Sequence, residues 1–112
     1  MDEQKIKMHK EIIDSMHDLY ERKNKDYGDS VHDTYEKYGM TSFLVRMEDK
    51  LNRVRTLTAD DAIALVSDEK IEDTLLDLAN YAVLAIIELR RDKIYTSECI
   101  SLGNEKQVLE QF

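Results

Sequence analysis

Residues 68–92, DEKIEDTLLDLANYAVLAIIELRRD, form the longest helical pattern in the chain. Ser67 can cap this helix at its start, and Arg90, Arg91 and Lys93 suit the negative end of its dipole. Apolar residues occupy most of the helix circumference, so we expect the helix to be largely buried. They are Leu75, Leu76, Leu78, Ala79, Val83, Leu84, Ile86 and Ile87.

A row of polar side chains crosses this apolar helix. Glu69, Asp73, Asp77 and Asn80 are spaced four, four and three residues apart, and at about 100° per residue they fall in one quadrant of the helix. Acids on a buried helix are costly unless something compensates them. Mg²⁺ is a natural partner because it prefers hard oxygen ligands. The row therefore predicts a divalent-metal site, with a solvent-facing helix edge as the alternative.

A second cluster lies on the preceding predicted helix, residues 42–57. Arg46, Asp49, Lys50 and Arg53 share one face of this helix, beside its apolar face. Three cations around one acid suit phosphate oxygens and one further metal ligand. The alternative is a structural network of salt bridges with the acidic row. The apolar face consists of Leu44, Met47, Leu51 and Val54.

Residues 23–30 are predicted to form a loop, because Asn, Asp and Gly favour turns and Ser30 can cap the helix that follows. Asn24 offers hydrogen-bond donors and acceptors, and Tyr27 offers a flat face on which a base could stack. Gly28 permits a close approach of the backbone. An ordinary turn without a ligand is the alternative.

The rest of the chain fits an all-α fold. Its 112 residues suit one domain, and the absence of proline with only three glycines leaves little to break a helix. Further helices are predicted at residues 2–23 and 31–38, the second ended by Gly39. Thr41 or Ser42 can cap the helix at 42–57.

We expect a helical domain over residues 1–93 and a C-terminal tail over 94–112. The tail could join an oligomer interface, and it could contain a short helix after Asn104. The net charge of −8 argues against non-specific binding of nucleic acid. No apolar run approaches the roughly 20 residues that span a bilayer, and the single Cys99 excludes an internal disulfide. We therefore expect a soluble, cytoplasmic protein.

Three stretches together resemble a known family. They are KNKDYG at 23–28, RMEDKLNR at 46–53 and DEKIEDTLLDLANYA at 68–82, and they look like the nucleotide modification associated domain 1 family. That family occurs largely in bacteriophages and their hosts, so a phage-encoded chain would act in the host cytoplasm. It is similar to the all-α nucleoside triphosphate pyrophosphohydrolases of the MazG type. The resemblance implies a MazG-like, oligomeric helical bundle that cleaves between the α- and β-phosphates of a nucleotide with Mg²⁺ or Mn²⁺.

MazG-type enzymes hold the metal with a Glu-x-x-Glu pair on one helix and a Glu-x-x-Asp pair on the next. Arg46 and Asp49 stand where the first pair would be. In the second pair Asp73 matches the aspartate, while Lys70 stands at the glutamate position and Glu69 lies one turn before Asp73. Asn80 matches an asparagine seven residues after the aspartate.

These patterns lead to one assignment of the site. We expect Asp49, Glu69 and Asp73 to hold the metal. Asp77 or Glu72 would be an outer ligand or would position the attacking water. The remaining groups would bind nucleotide: Arg46, Lys50 and Arg53 the phosphates, Asn24 and Tyr27 the base or sugar, with Asn80 beside them.

The expected function is Mg²⁺-dependent pyrophosphohydrolysis of a (deoxy)nucleoside triphosphate in nucleotide metabolism or modification. The alternative is a nucleotide-binding protein that sequesters a signalling nucleotide without hydrolysing it, as a phage anti-defence sponge would. Because a small helical chain covers its apolar faces poorly, we also expect a homodimer or a dimer of dimers.

Overall fold

The computed structural model describes residues 2–27, 29–59 and 64–100, and the side chains of residues 2–24, 29–59 and 68–94. Within these ranges the chain forms four helices and no strand, which confirms the all-α prediction. The helices are α1 (Glu3–Tyr27), α2 (Ser30–Tyr38), α3 (Thr41–Leu57) and α4 (Ala64–Ile100). None of them, as far as they are described, is long and apolar enough to cross a membrane.

Two helices are longer than the sequence pattern predicts. α1 continues through Tyr27, so most of the loop predicted over residues 23–30 is helical. α4 begins at Ala64, which places Ser67 inside the helix rather than at its cap, and it runs past the expected end near residue 92 to Ile100. No proline or glycine interrupts either extension, so nothing forces the helix to stop. The helix expected after Asn104 lies outside the described residues.

Gly39 ends α2 as predicted. Its φ is +68° and its ψ is −156°, and its backbone N–H donates to the Tyr35 carbonyl oxygen at 2.7 Å. A side chain is rarely tolerated in this backbone conformation, which explains the glycine. α3 then begins at Thr41 without a side-chain cap, and Ser42 Oγ instead donates to the Gly39 carbonyl oxygen at 2.8 Å. The predicted cap by Thr41 or Ser42 is therefore wrong.

The core lies where α3 packs along α4 and where α2 packs on α3. Phe43 is its most deeply buried large side chain, with 1% of its surface exposed. Its ring lies 5.7 Å from the Tyr35 ring of α2. Buried Thr74 satisfies its hydroxyl by donating to the Lys70 carbonyl oxygen at 2.7 Å.

The expectation that α4 is largely buried is wrong for a single chain. Leu75, Val83 and Ile86 each expose 45–49% of their surface. The molecule is also elongated, since its radius of gyration is 18.0 Å whereas a compact domain of this length has about 13 Å. α1 contacts the other helices only sparsely. One chain of this size has too little mass to cover both faces of a helix as long as α4.

Candidate functional site

A cavity of about 320 Å³ lies between α1, the start of α2 and the middle of α4. The lining residues of α1 and of α4 are mostly three or four positions apart, so on each helix they share one face. Its polar and aromatic lining residues are Ser15, Tyr20, Lys23, Asn24, Asp29, Ser30, Asp77, Asn80 and Tyr81. Its apolar lining residues include Met16, Leu19, Leu76 and Leu84.

This lining suits a small planar ligand. Ligand sites are mostly apolar cavities with a few polar groups that fix orientation, and this cavity has that composition. Tyr20 and Tyr81 are half-buried and offer flat faces, while the amides of Asn24 and Asn80 both donate and accept hydrogen bonds. The predicted residues Asn24, Asp77 and Asn80 are therefore brought together here.

Two cations of α3 lie directly behind the cavity wall. Lys50 Nζ is 3.2 Å from Asp77 Oδ2, and the Arg46 guanidinium carbon is 5.7 Å from the centre of the Tyr81 ring. The second contact is a cation–π interaction. Since Asp77 and Tyr81 line the cavity, two of the three predicted phosphate-binding cations each contact a residue of its lining. The salt bridge of Lys50 is also the contact that the structural alternative predicts.

The predicted metal ligands are not gathered in one chain. Asp49, Glu69 and Asp73 are all exposed and none of them lines the cavity. No three His, Cys, Asp or Glu side chains within the described ranges form a group that could hold a metal ion. The expectation of a buried acidic row is wrong for Glu69 and Asp73.

The length of α4 explains this separation. Eleven residues separate the first and last members of the polar row, which at 1.5 Å per residue is about 16 Å along the helix. Only its C-terminal part, Asp77 and Asn80, reaches the cavity. Arg53 is likewise exposed and outside the cavity lining. The side chain of Tyr27 and all of Gly28 lie outside the described residues.

The sequence pattern did not predict a second polar cluster beside the cavity. Glu88 is a buried carboxylate on α4 with 4% of its surface exposed. His32 Nδ1 lies 2.7 and 2.8 Å from its two oxygens. Arg91 Nη1 is 3.5 Å from Glu88 Oε1 and donates to Asp29 Oδ2 at 3.3 Å. We call Asp29, His32, Glu88 and Arg91 the α2–α4 clasp.

Two pKa values are shifted around the clasp. The pKa of His32 is raised, above all by its hydrogen bond with Glu88, and desolvation opposes this only in part. The Tyr35 hydroxyl donates to Asp92 Oδ2 at 2.6 Å, and this bond with desolvation raises the pKa of Tyr35 to about 12. One sequence signal was available, because Glu88 is a lone acid within an apolar helical stretch.

Comparison with known proteins gives one family. The chain shows no significant similarity to a curated protein or to a solved structure. A family model described as nucleotide modification associated domain 1 matches residues 23–89. The matched range includes the α4 residues that line the cavity. It also includes the three stretches, at 23–28, 46–53 and 68–82, that resemble this family. It covers more than half of the chain, which therefore belongs to the nucleotide modification associated domain 1 family.

Proposed function

We propose that this protein binds a (deoxy)nucleoside triphosphate in the cavity between α1 and α4 and hydrolyses it to the monophosphate and pyrophosphate. The observation that carries the proposal is the cavity lining, which includes two tyrosines and two asparagines, together with the contacts of Arg46 and Lys50 to the lining residues Tyr81 and Asp77. The cavity volume of about 320 Å³ lies at the lower end of the range of volumes found for ligand sites. This volume suits a nucleoside whose phosphates extend out of the cavity.

Each group has a chemical part in this proposal. The faces of Tyr20 and Tyr81 would stack on the base, and Asn24 and Asn80 would bond its edge or the sugar. The cations of α3 would neutralise the phosphates. Both cations already contact the cavity lining, Lys50 through Asp77 and Arg46 through Tyr81.

Asp49, Glu69 and Asp73 do not fit a shared metal site within one chain. Mg²⁺ or Mn²⁺ would therefore enter the cavity together with the triphosphate. In nucleotide sites Mg²⁺ is usually bound by one or two carboxylates and by the substrate phosphates. When bound, the metal would polarise phosphoryl oxygens and neutralise charge on the leaving group. Asp77 and Asp29 are the carboxylates that line the cavity, and Asp77 is the one that the sequence pattern singled out.

A nucleotide panel tests this proposal. The purified protein is incubated with each nucleoside and deoxynucleoside triphosphate, with and without Mg²⁺, and the products are separated by ion-exchange chromatography. We expect pyrophosphate and one monophosphate. Asp77→Asn should slow hydrolysis by roughly 100-fold, the usual loss when a group that positions or activates water is removed.

Asp14→Asn is the matched control, because Asp14 pairs with a lysine on α1 at 2.6 Å and lies outside the cavity lining. It should hydrolyse nucleotides as the unmodified protein does. If no nucleotide binds in isothermal titration calorimetry, the proposed function is wrong.

The Lys50–Asp77 ion pair favours a second candidate function, binding without hydrolysis. A carboxylate that is already paired with lysine is less available to a metal or a water molecule. A protein that sequesters a nucleotide would use the same cavity. The same panel separates the two candidates: unchanged nucleotide recovered from denatured protein, with no pyrophosphate, supports sequestration.

We further propose that a second copy of the chain covers the groove between α3 and α4. Leu44, Leu51 and Leu75 line this groove and expose 41–57% of their surface. Glu48 and Arg55 also line this groove. Glu48 lies three residues before Leu51, and Arg55 lies four residues after it. If two copies of α3 pack antiparallel about a two-fold axis near Leu51, each Glu48 faces the partner's Arg55.

Charge reversal tests this arrangement. Light scattering should give the mass of a dimer or a larger even assembly for the unmodified protein. Glu48→Arg or Arg55→Glu alone should weaken association, because each places like charges opposite one another. The double variant should restore it. A monomer at micromolar concentration would contradict the proposal.

A further inference from the structure

The α2–α4 clasp joins a short helix to the long one mainly through polar contacts. α2 spans only nine residues and has no buried residue of its own. A helix of this length is not stable alone, so its position depends on contacts with its neighbours. Two contacts to α4 come from its side chains, His32 to Glu88 and Tyr35 to Asp92.

The buried carboxylate requires its partners. A buried charge is tolerated only when it is paired and hydrogen-bonded, and Glu88 is paired with His32 and Arg91. His32 also contacts Glu36 through Nε2 at 3.2 Å. Both ring nitrogens therefore face carboxylates, and only the protonated imidazole donates from both of them. The charged form of His32 is the one that fits the site.

The clasp reaches the cavity through Arg91. This side chain bonds both Glu88 and Asp29, and Asp29 lines the cavity together with Ser30 and Val31. Asp29 immediately precedes α2, so the start of that helix is one wall of the cavity. Loss of the His32–Glu88 pair would leave Arg91 and Glu88 to rearrange, and this wall would lose its support.

We propose that His32 and Glu88 are positioning residues that hold the start of α2 against the nucleotide cavity, so that protonation of His32 tunes ligand affinity. This inference rests on the nucleotide site proposed above. The charged groups that face His32 are Glu36 from its own helix and Glu88 and Arg91 from α4. Affinity should be highest while His32 is protonated and should fall as the pH rises through its raised pKa.

The test compares His32→Gln with the unmodified protein. Calorimetric titration with the nucleotide identified in the panel is made at pH 6 and pH 8.5. The unmodified protein should lose affinity by roughly fivefold or more over this range, the lower end of coupling between linked groups. His32→Gln should bind weakly at both pH values and lose the difference. An equal pH profile in the two proteins would overturn the proposal.

A matched control and a ligand-free measurement complete the experiment. His17→Gln removes a comparable pair, since His17 contacts Glu21 at 2.8 Å on the exposed face of α1. It should keep the pH profile of the unmodified protein. In the free protein, the NMR amide signals of Ser30 and Val31 should move with the same midpoint as the His32 ring. Signals that do not follow the ring would overturn the clasp even if no nucleotide binds, which separates its failure from that of the proposed function.

Discussion

Phe43 shows how much one side chain contributes to a core as small as this one. It is almost wholly buried and packs on the Tyr35 ring, whereas Leu44, Val45 and Leu51 of the same helix expose 41–57% of their surface. Phe43→Ala should lower the free energy of unfolding by about 3–5 kcal/mol, the usual loss for a buried aromatic ring. Urea denaturation followed by circular dichroism measures this.

Tyr38→Ala is the control for that prediction. Tyr38 is an aromatic residue of α2 with 65% of its surface exposed, so its loss should change stability by less than about 0.5 kcal/mol. Similar losses in the two variants would mean that Phe43 is not the anchor of the core.

His32 should make stability depend on pH. Its pKa is raised in the folded chain by the bond to Glu88, so the stabilisation is fully present below the ordinary histidine pKa of about 6.5. It is lost as the pH rises through the raised value. The melting temperature of the unmodified protein should therefore exceed that of His32→Gln at pH 5.5, and the gap should close at alkaline pH.

Thermal melts at half-unit pH steps measure this gap. His17→Gln should follow the unmodified protein throughout, because His17 lies on the exposed face of α1. A gap between the unmodified protein and His32→Gln that widens as the pH rises would contradict the assigned ion pair.

At the scale of elements, the turn between α2 and α3 depends on one glycine. Gly39 has φ +68° and ψ −156°, a region that is essentially restricted to glycine. A Cβ there would meet no heavy atom within 4 Å, so the cost of a substitution comes from the backbone alone. Gly39→Ala should destabilise the protein by about 1–3 kcal/mol, measured by urea denaturation. Unchanged stability would show that the turn accepts another backbone conformation.

The helices differ in how strongly their sequence specifies their ends. α2 ends at Gly39 because the positive φ of this residue lies outside the helical region, and glycine adopts such a φ more easily than other residues. The sequence predicts this end correctly. The ends of α1 and α4 carry no such residue, and both helices continue beyond the predicted bounds. Polar composition alone, as in residues 23–27, does not stop a helix.

At the scale of the whole molecule, exposed apolar surface predicts that stability depends on concentration. Association involves folded chains only, so dilution should lower the melting temperature. Leu51→Glu should remove this dependence, because Leu51 lies in the α3–α4 groove. The chain should still fold, since 41% of Leu51 is already exposed. Scanning calorimetry at two concentrations measures the effect.

Ile94→Glu is the matched control for this prediction. Ile94 is an exposed apolar residue of α4 that lies outside the groove lining. Its variant should keep the concentration dependence of the unmodified protein. A melting temperature that is independent of concentration in the unmodified protein would contradict association through the groove.

Much of the candidate site followed from local patterns. Asn24, Asp77 and Asn80, which the sequence pattern singled out, line one cavity, and Arg46 and Lys50 contact its wall. Glu69 and Asp73 are exposed, which agrees with the alternative of a solvent-facing helix edge and not with the expected buried row. Helical spacing determines which residues share a face of a helix. It does not determine which part of a long helix packs against another helix.

The sequence by itself determined the class of fold, the family, the four helices found within the described ranges and the residues that share each helix face. These properties depend on local spacing and on breakers such as Gly39. Only the tertiary structure decided that Phe43 forms the core, that the acidic row divides between solvent and cavity, and that His32 meets Glu88. Residues 32 and 88 are 56 positions apart. Their contact arises from the packing of α2 on α4, which no periodicity within either helix specifies.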